Sequence, residues 1–229
     1  MKLLAFDTST QWLGIACVHG ARRIEREELA GQAHSQRLLP LIDDVLAEAE
    51  ISIAELDAIA FGAGPGSFTG VRIGCGVAQG LAFGAGIPLV PVSTLEAIAE
   101  SAWEAHGWTR VVACLDARMR EVYVGAYRRE GDRWIVERDP AVMRPEDVAA
   151  TAHACNGAGD GFAAYPDLAS RLALADVDAR TIPRARAIAA LAMPEVAAGR
   201  SVAASEALPL YVRHRVALTT AEREAGTRL

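Results

Sequence analysis

Apolar and polar positions along this chain follow two periods, one of strands and one of helices. "KLLAFD" near the N-terminus is an apolar run stopped by Asp7, the pattern of a buried strand. "WLGIACV" predicts a second strand. After a turn at His19 and Gly20, "RRIEREEL" alternates as a half-exposed third strand would. The period then becomes helical over about 35–50, with Leu38, Leu41, Ile42, Val45, Leu46 and Ala49 on one broad face. Pro40 obscures where this helix begins, because proline is comfortable only in a first turn. Ser52 and Glu55 have capping-box spacing for a short turn, and "AIAFG" predicts a fourth strand. A glycine-rich loop opens a second helix, and "PLVPV" predicts a fifth strand. Ser93 with Glu96 predicts the cap of a third helix reaching about His106. The order is βββαβαβα.

The pattern begins again at Arg110. "RVVACLDA" is an apolar strand running into Asp116, "EVYVGAY" alternates as its neighbour, and "DRWIVERD" makes the third. Asp7 and Asp116 thus hold equivalent places, each ending a first strand before a hairpin. Beyond Arg144 the second copy is less regular: a helix in "RPEDVAATAHA", a loop "CNGAGDGF" and a helix across "RARAIAALAMPEVAAG". A doubled βββαβαβα unit resembles the actin-like ATPase (ribonuclease H-like) fold. That α/β fold implies two lobes, each built around a mixed five-stranded sheet flanked by helices. The division expected is an N-terminal lobe over 1–108 and a C-terminal lobe with a variable tail over 109–229. In that fold nucleotide phosphates sit between the paired hairpins, where Asp7 and Asp116 would be the catalytic or metal-linked carboxylates. Fold alone does not deliver function.

Composition narrows the picture. At 229 residues with 52% hydrophobic and 23% charged, the chain can bury a sizeable core. A net charge of −6 argues against gripping nucleic acid unaided, since phosphate binding rests on clustered cations. Lys2 is the only lysine. The apolar run before Asp7 is too short for a signal peptide, and the glycine-dense window 73–92 reads as buried helix, turn and strand rather than a membrane span. Cys17, Cys75, Cys114 and Cys155 form no C-x-x-C pair, which favours small buried thiols in a reducing cytoplasm. The five histidines form no H-x-x-x-H or H-E-x-x-H pair, so no metal site is expected. No nucleophile–base pair stands out.

"FGAGPGSFTGVRIG" over 61–74 is the stretch that invites a phosphate-binding reading. It lacks the lysine of a Walker loop, has Ser67 and Thr69 where a dinucleotide fingerprint needs its third glycine, and fails the nucleophile-elbow spacing around Ser67. Two readings remain. The loop delivers backbone N–H groups to an anion at a helix N-terminus, or Ser67 or Thr69 simply caps that helix. Within the helix, Gly76, Gly80 and Gly84 recur every four residues and line up as a stripe without side chains. Each interior glycine costs a helix roughly 1 kcal/mol relative to alanine, so close approach of another backbone is the reason to look for. That backbone belongs either to the chain's own sheet or to a second chain. Arg118 and Arg120 flank a turn after Asp116, where they either meet phosphate or are solvated, and Tyr123 and Tyr127 share one strand face as packing residues.

Six segments together resemble the TsaB family, also called YeaZ. They are "LLAFDTST", "HSQRLLPLIDDVL", "FGAGPGSFTGVRIGCGVAQGLAFG", "PVSTLEAIAE", "LDARMREVYVGAY" and "ALPLYVRHRVA". The similarity runs from Met1 to about Ala217; "LTTAEREAGTRL" reads as the variable tail. The resemblance implies a non-catalytic subunit of the bacterial assembly that makes threonylcarbamoyladenosine at position 37 of tRNAs reading codons that begin with A. It implies pairing with the catalytic paralogue TsaD, whose metal-binding histidine motif is absent here, and assembly with the ATPase TsaE. No intrinsic cofactor is expected; ATP and a metal ion belong to the partner subunits, and tRNA is met through the complex. Self-pairing as a homodimer in isolation is a further implication. Carried onto this chain, the contact residues would be Leu38, Leu41, Ile42 and Val45 on the first helix. On the second they would be Ile73, Gly76, Val77, Gly80, Phe83 and Gly84. A vestigial nucleotide cleft would comprise Asp7, Thr8, Ser9, Gly64, Gly66, Ser67, Thr69 and Asp116. The rival readings are an ATP-dependent phosphotransferase using Asp7 or Asp116 and, least favoured, a peptidase.

Overall fold

The structure, a computed structural model, describes residues 1–212; the final segment "LTTAEREAGTRL" lies outside them. Strands β1 (Lys2–Asp7), β2 (Trp12–His19), β3 (Arg22–Leu29), β4 (Ala58–Gly64) and β5 (Leu89–Ser93) form one sheet in the order β3-β2-β1-β4-β5. β2 runs antiparallel to β1, whereas β4 and β5 run parallel to it through helical crossovers. Helices α1 (His34–Ala49) and α2 (Phe68–Ala85) cover one face of this sheet. A third helix, α3 (Thr94–His106), packs Leu95, Ile98 and Ala102 onto Val111, Ala113 and Tyr127 of the second half.

That second half repeats the arrangement. β6 (Arg110–Arg118), β7 (Glu121–Glu130), β8 (Arg133–Met143), β9 (Asn156–Ala158) and β10 (Val177–Asp178) lie in the order β10-β9-β6-β7-β8. Short helices α4 (Gly161–Ala164) and α5 (Asp167–Arg171) cover the face opposite α3. Two mixed five-stranded sheets flanked by helices are therefore present. Among the described residues no helix is long and apolar enough to cross a membrane.

α1 starts at His34, within one residue of the expected start, so Pro40 sits in its second turn; the buried apolar face holds the helix together despite the missing donor. The structure departs from the sequence reading in four places. Ser93 takes the N-cap position of α3 without a side-chain bond, its Oγ being buried instead of turned to the first-turn N–H groups. The helix expected in "RPEDVAATAHA" is a single 3-10 turn at Pro145–Asp147. Only Val148 of that segment is buried, too little apolar surface to hold a helical face, and arginine side chains take the carbonyls of Pro145, Glu146 and Ala149. The loop "CNGAGDGF" contains β9, whose three residues are too few to show a period. Finally, α6 (Ala185–Ala197) crosses back to the first lobe and packs Ala185, Ile188, Ala189 and Ala192 on the uncovered face of its sheet. The chain beyond it pairs Val202 with Leu89 of β5. A boundary at 108/109 thus separates the sheets, but the C-terminal 185–212 belongs with the first lobe.

Candidate functional site

The glycine loop closes on its own chain. Ser67 caps α2, its Oγ accepting from the Gly70 N–H at 3.3 Å. The Ser67 N–H donates to the Ser9 carbonyl at 2.7 Å, and Thr8 Oγ1 donates to the Gly70 carbonyl at 2.7 Å. A Cβ on Gly66, Gly70 or Gly74 would come within 2.4 Å of Ser9 O, 2.0 Å of Thr8 O and 2.5 Å of Thr8 Oγ1. Real Cβ atoms do not approach so closely, so these glycines admit the "DTS" segment at the end of β1. Gly64 adds a left-handed φ of +106° that only glycine adopts without strain.

Asp7 is consequently sealed. Its Oδ1 accepts from Ser9 N and Ser9 Oγ, both at 2.9 Å, while Oδ2 is buried beside Gly62 with no hydrogen-bond partner among the described residues. Burial pushes the carboxyl up to about 7, against the downward pull of the two Ser9 bonds. Below it opens a cleft of about 650 Å³ between the lobes, lined by Ser9, Thr10, Gly66, Ser67 and Thr69 on one side and by Asp116, Arg118 and Asp160 on the other. Asp116 accepts from Arg118 N at 2.8 Å and Arg118 Nη1 at 2.9 Å, and its own N–H donates to Asp160 Oδ1 at 3.0 Å. Arg118, Met119 and Arg120 turn the hairpin in three successive left-handed conformations, φ 60°, 54° and 61°. Tyr127 is buried as packing, whereas half-buried Tyr123 also lines the cleft.

Of the expected cleft residues, the structure brings Ser9, Gly66, Ser67, Thr69 and Asp116 to one cavity and leaves Asp7, Thr8 and Gly64 behind it. A metal-linked nucleotide does not fit Asp7 in this arrangement, because its free oxygen is buried beside Gly62 and the residue does not line the cavity. Among the described residues no three His, Cys, Asp or Glu side chains are grouped to hold a metal ion. The four cysteines are buried and unpaired.

The helix residues sort differently. Leu38, Ile42 and Val45 are fully buried and Leu41 nearly so, in the core beneath α1. Their side chains have almost no surface with which to meet another molecule. α2 is the opposite case. A Cβ on Gly76, Gly80 or Gly84 would meet nothing within 4 Å, so the stripe faces outward. Ile73 and Val77 are half-buried along it, and Phe83 stands 84% exposed.

This geometry has close counterparts. The chain is 41% identical over 223 residues to the tRNA threonylcarbamoyladenosine biosynthesis protein TsaB of Escherichia coli, covering 95% of this chain and 96% of that one. It is 39% identical to the protein of the same name from Haemophilus influenzae, covering 94% and 95%. The chain belongs to the TsaB (YeaZ) family. The solved structure of YeaZ from Pseudomonas aeruginosa superposes with a TM-score of 0.87 at 42% identity, covering 92% of this chain and 99% of that one. A family model described as TsaD, tRNA N6-adenosine threonylcarbamoyltransferase, also matches residues 26–215. The chain is thus similar in sequence to TsaD over both of its sheets.

Some residues of this TsaB-family site escaped the sequence reading. The segment 202–212 forms a strap along α2. Gln79 Nε2 donates to the Ala207 carbonyl at 2.8 Å, Leu210 N to Ala63 O at 2.7 Å, and Arg72 Nε to the Tyr211 hydroxyl at 2.9 Å. "ALPLY" had counted only as part of a family motif, because contacts 128 to 147 residues apart leave no local signal. Asp160, whose Oδ1 meets Asp116 N across 44 residues, likewise carries no local signal.

Proposed function

We propose that this chain is the non-catalytic subunit of a tRNA threonylcarbamoyl-transfer complex, binding and supporting the catalytic paralogue TsaD. The carrying observation is the outward glycine stripe of α2. Three interior glycines with nothing packed against them weaken a helix by roughly 1 kcal/mol each. A partner backbone lying in the trough offsets that cost, as in other small-residue helix contacts. Close identity to proteins named for threonylcarbamoyladenosine biosynthesis supports the pathway, and the match to the TsaD model supports a paralogue of like shape as the partner. In this reading the partner helices lie on the exposed side of α2. The α1 side chains Leu38, Leu41, Ile42 and Val45 act indirectly, by holding α1 and α2 in fixed relation. TsaE completes the assembly, and ATP, metal and most tRNA contacts fall on the other subunits. The transfer acts on adenosine 37 of tRNAs reading codons beginning with A, in the cytoplasm. Without TsaD the same face pairs two copies of this chain. The rival phosphotransferase, with Asp7 or Asp116 as its carboxylate, is less well supported, because Asp7 is sealed behind the cleft and Asp116, which lines it, is already engaged by Arg118.

Reconstitution tests the proposal. Mixing this chain with TsaD, TsaE, tRNA and threonylcarbamoyl-AMP, then omitting each in turn, should abolish formation of the modified nucleoside when this chain is left out. Equal product without it would overturn the assignment.

A further inference from the structure

The glycine trough is well shaped for a helix but poor in apolar area. A stable contact needs roughly 800 Å² from each partner, and three glycines supply little of it. Among the described residues twelve large hydrophobic side chains are exposed, and six of them belong to α1, α2 and the strap: Leu39 on α1, Phe68 and Phe83 on α2, and Leu208, Leu210 and Tyr211 on the strap. Half of the exposed large apolar residues therefore lie on two helices and one short strap.

One group among them is already ordered. The Arg72 guanidinium lies 3.5 Å from the centre of the Phe68 ring and 5.5 Å from that of Tyr211, while its Nε donates to the Tyr211 hydroxyl. Leu210 N and Ala207 O tie the strap to β4 and α2, so these side chains are held while still exposed. Beside them a hollow of about 200 Å³ opens among Val71, Tyr123, Leu210 and Pro65. Arginine and tyrosine beside a pocket are the residue types that dominate interfaces, and a surface ordered in advance loses little freedom on binding.

We infer that the docking surface continues from the α2 trough onto the strap, with the Phe68–Arg72–Tyr211 stack as its anchor and the neighbouring hollow receiving an apolar side chain of the partner subunit. This rests on the TsaD-binding reading.

Calorimetric titration of the full chain with TsaD from the same organism separates the two claims. Tyr211→Ala and Arg72→Ala should each weaken binding by about tenfold or more, while Ile135→Ala, an exposed site on the second lobe, should leave it unchanged. Gly80→Leu, which blocks the trough, should abolish it. If Gly80→Leu abolishes binding but Tyr211→Ala and Arg72→Ala bind like wild type, the strap inference falls and the partner reading stands. If Gly80→Leu also binds normally, the partner reading itself falls. Sedimentation of the chain alone adds a further outcome. Should Tyr211→Ala dissolve a homodimer and leave TsaD affinity intact, the occupant is a second copy and the inference is overturned.

Discussion

A Cβ on Gly62 would lie 1.9 Å from Asp7 Oδ2, so the absence of a side chain at one residue is what allows the carboxylate of the other to be buried. The same dependence recurs between Gly70 and Thr8 and, in the second lobe, between Gly159 and Cys114, where the added atom would stand 2.2 Å from the carbonyl. Gly64 and Gly159 even share their backbone conformation, φ +106° and +109°. The glycines of the loop admit neighbouring segments of the same polypeptide, and the phosphate-cradle appearance follows from that packing.

Gly70→Ala should therefore destabilise the fold. The new methyl would meet the Thr8 carbonyl at 2.0 Å, a backbone atom that cannot step aside cheaply. Overpacking of this kind costs about 1–3 kcal/mol, readable as a lower urea midpoint at unchanged slope.

Gly76→Ala and Gly84→Ala should do the reverse. Their added atoms meet open space, and each should raise stability by up to ~1 kcal/mol through helix propensity alone. Both should weaken TsaD binding in the same preparations. A variant that is more stable and binds as well as wild type would contradict the trough.

Asp7→Asn should change the pH profile of stability. The folded-state pKa is raised from 3.8 to about 7 by burial, so between those values the native state keeps a proton that the unfolded chain has lost. Native stability then falls as pH rises from about 4 to 7 and is flat beyond. The asparagine variant should lack that slope and gain on wild type, by on the order of a few kcal/mol at most above pH 7. Denaturation at pH 5 and pH 8 checks it; parallel profiles would refute the buried-carboxylate account.

Glu100→Ala should loosen the lobes. Glu100 on α3 pairs with Arg129 and accepts from Trp134 Nε1 at 2.7 Å, and Arg129 lies 3.5 Å over the Trp103 ring. Both charged side chains are over nine-tenths buried. Removing one partner strands the other, at about 3–5 kcal/mol, seen as a lower melting temperature. Glu100→Ala with Arg129→Met should recover part of the loss.

Much of the architecture was legible because it is written locally. The strand–helix order of the first lobe, the two aspartates at matching strand ends, and Ser67 as a helix cap all depend on residues a few positions apart. The second lobe was read less well: β9 and β10 are three and two residues long, too short to show a period. One signal was present and unused. Gly62, Gly66, Gly70 and Gly74 recur every four residues just as Gly76, Gly80 and Gly84 do. Gly70 and Gly74 of the first series share α2 with all three of the second, and spacing alone does not say which face inward.

The sequence by itself determined the periods, the turns and caps, and the duplicated order of elements, since each follows from the chemistry of near neighbours. Only the tertiary structure decided that Asp7 is sealed, that Gly70 and Gly74 pack on Thr8 while Gly76, Gly80 and Gly84 face outward, and that α6 and the strap return to the first lobe. Those outcomes depend on which segments meet across some 60 to 140 residues, where burial is set by the packing of distant surfaces and local pattern carries no record of it.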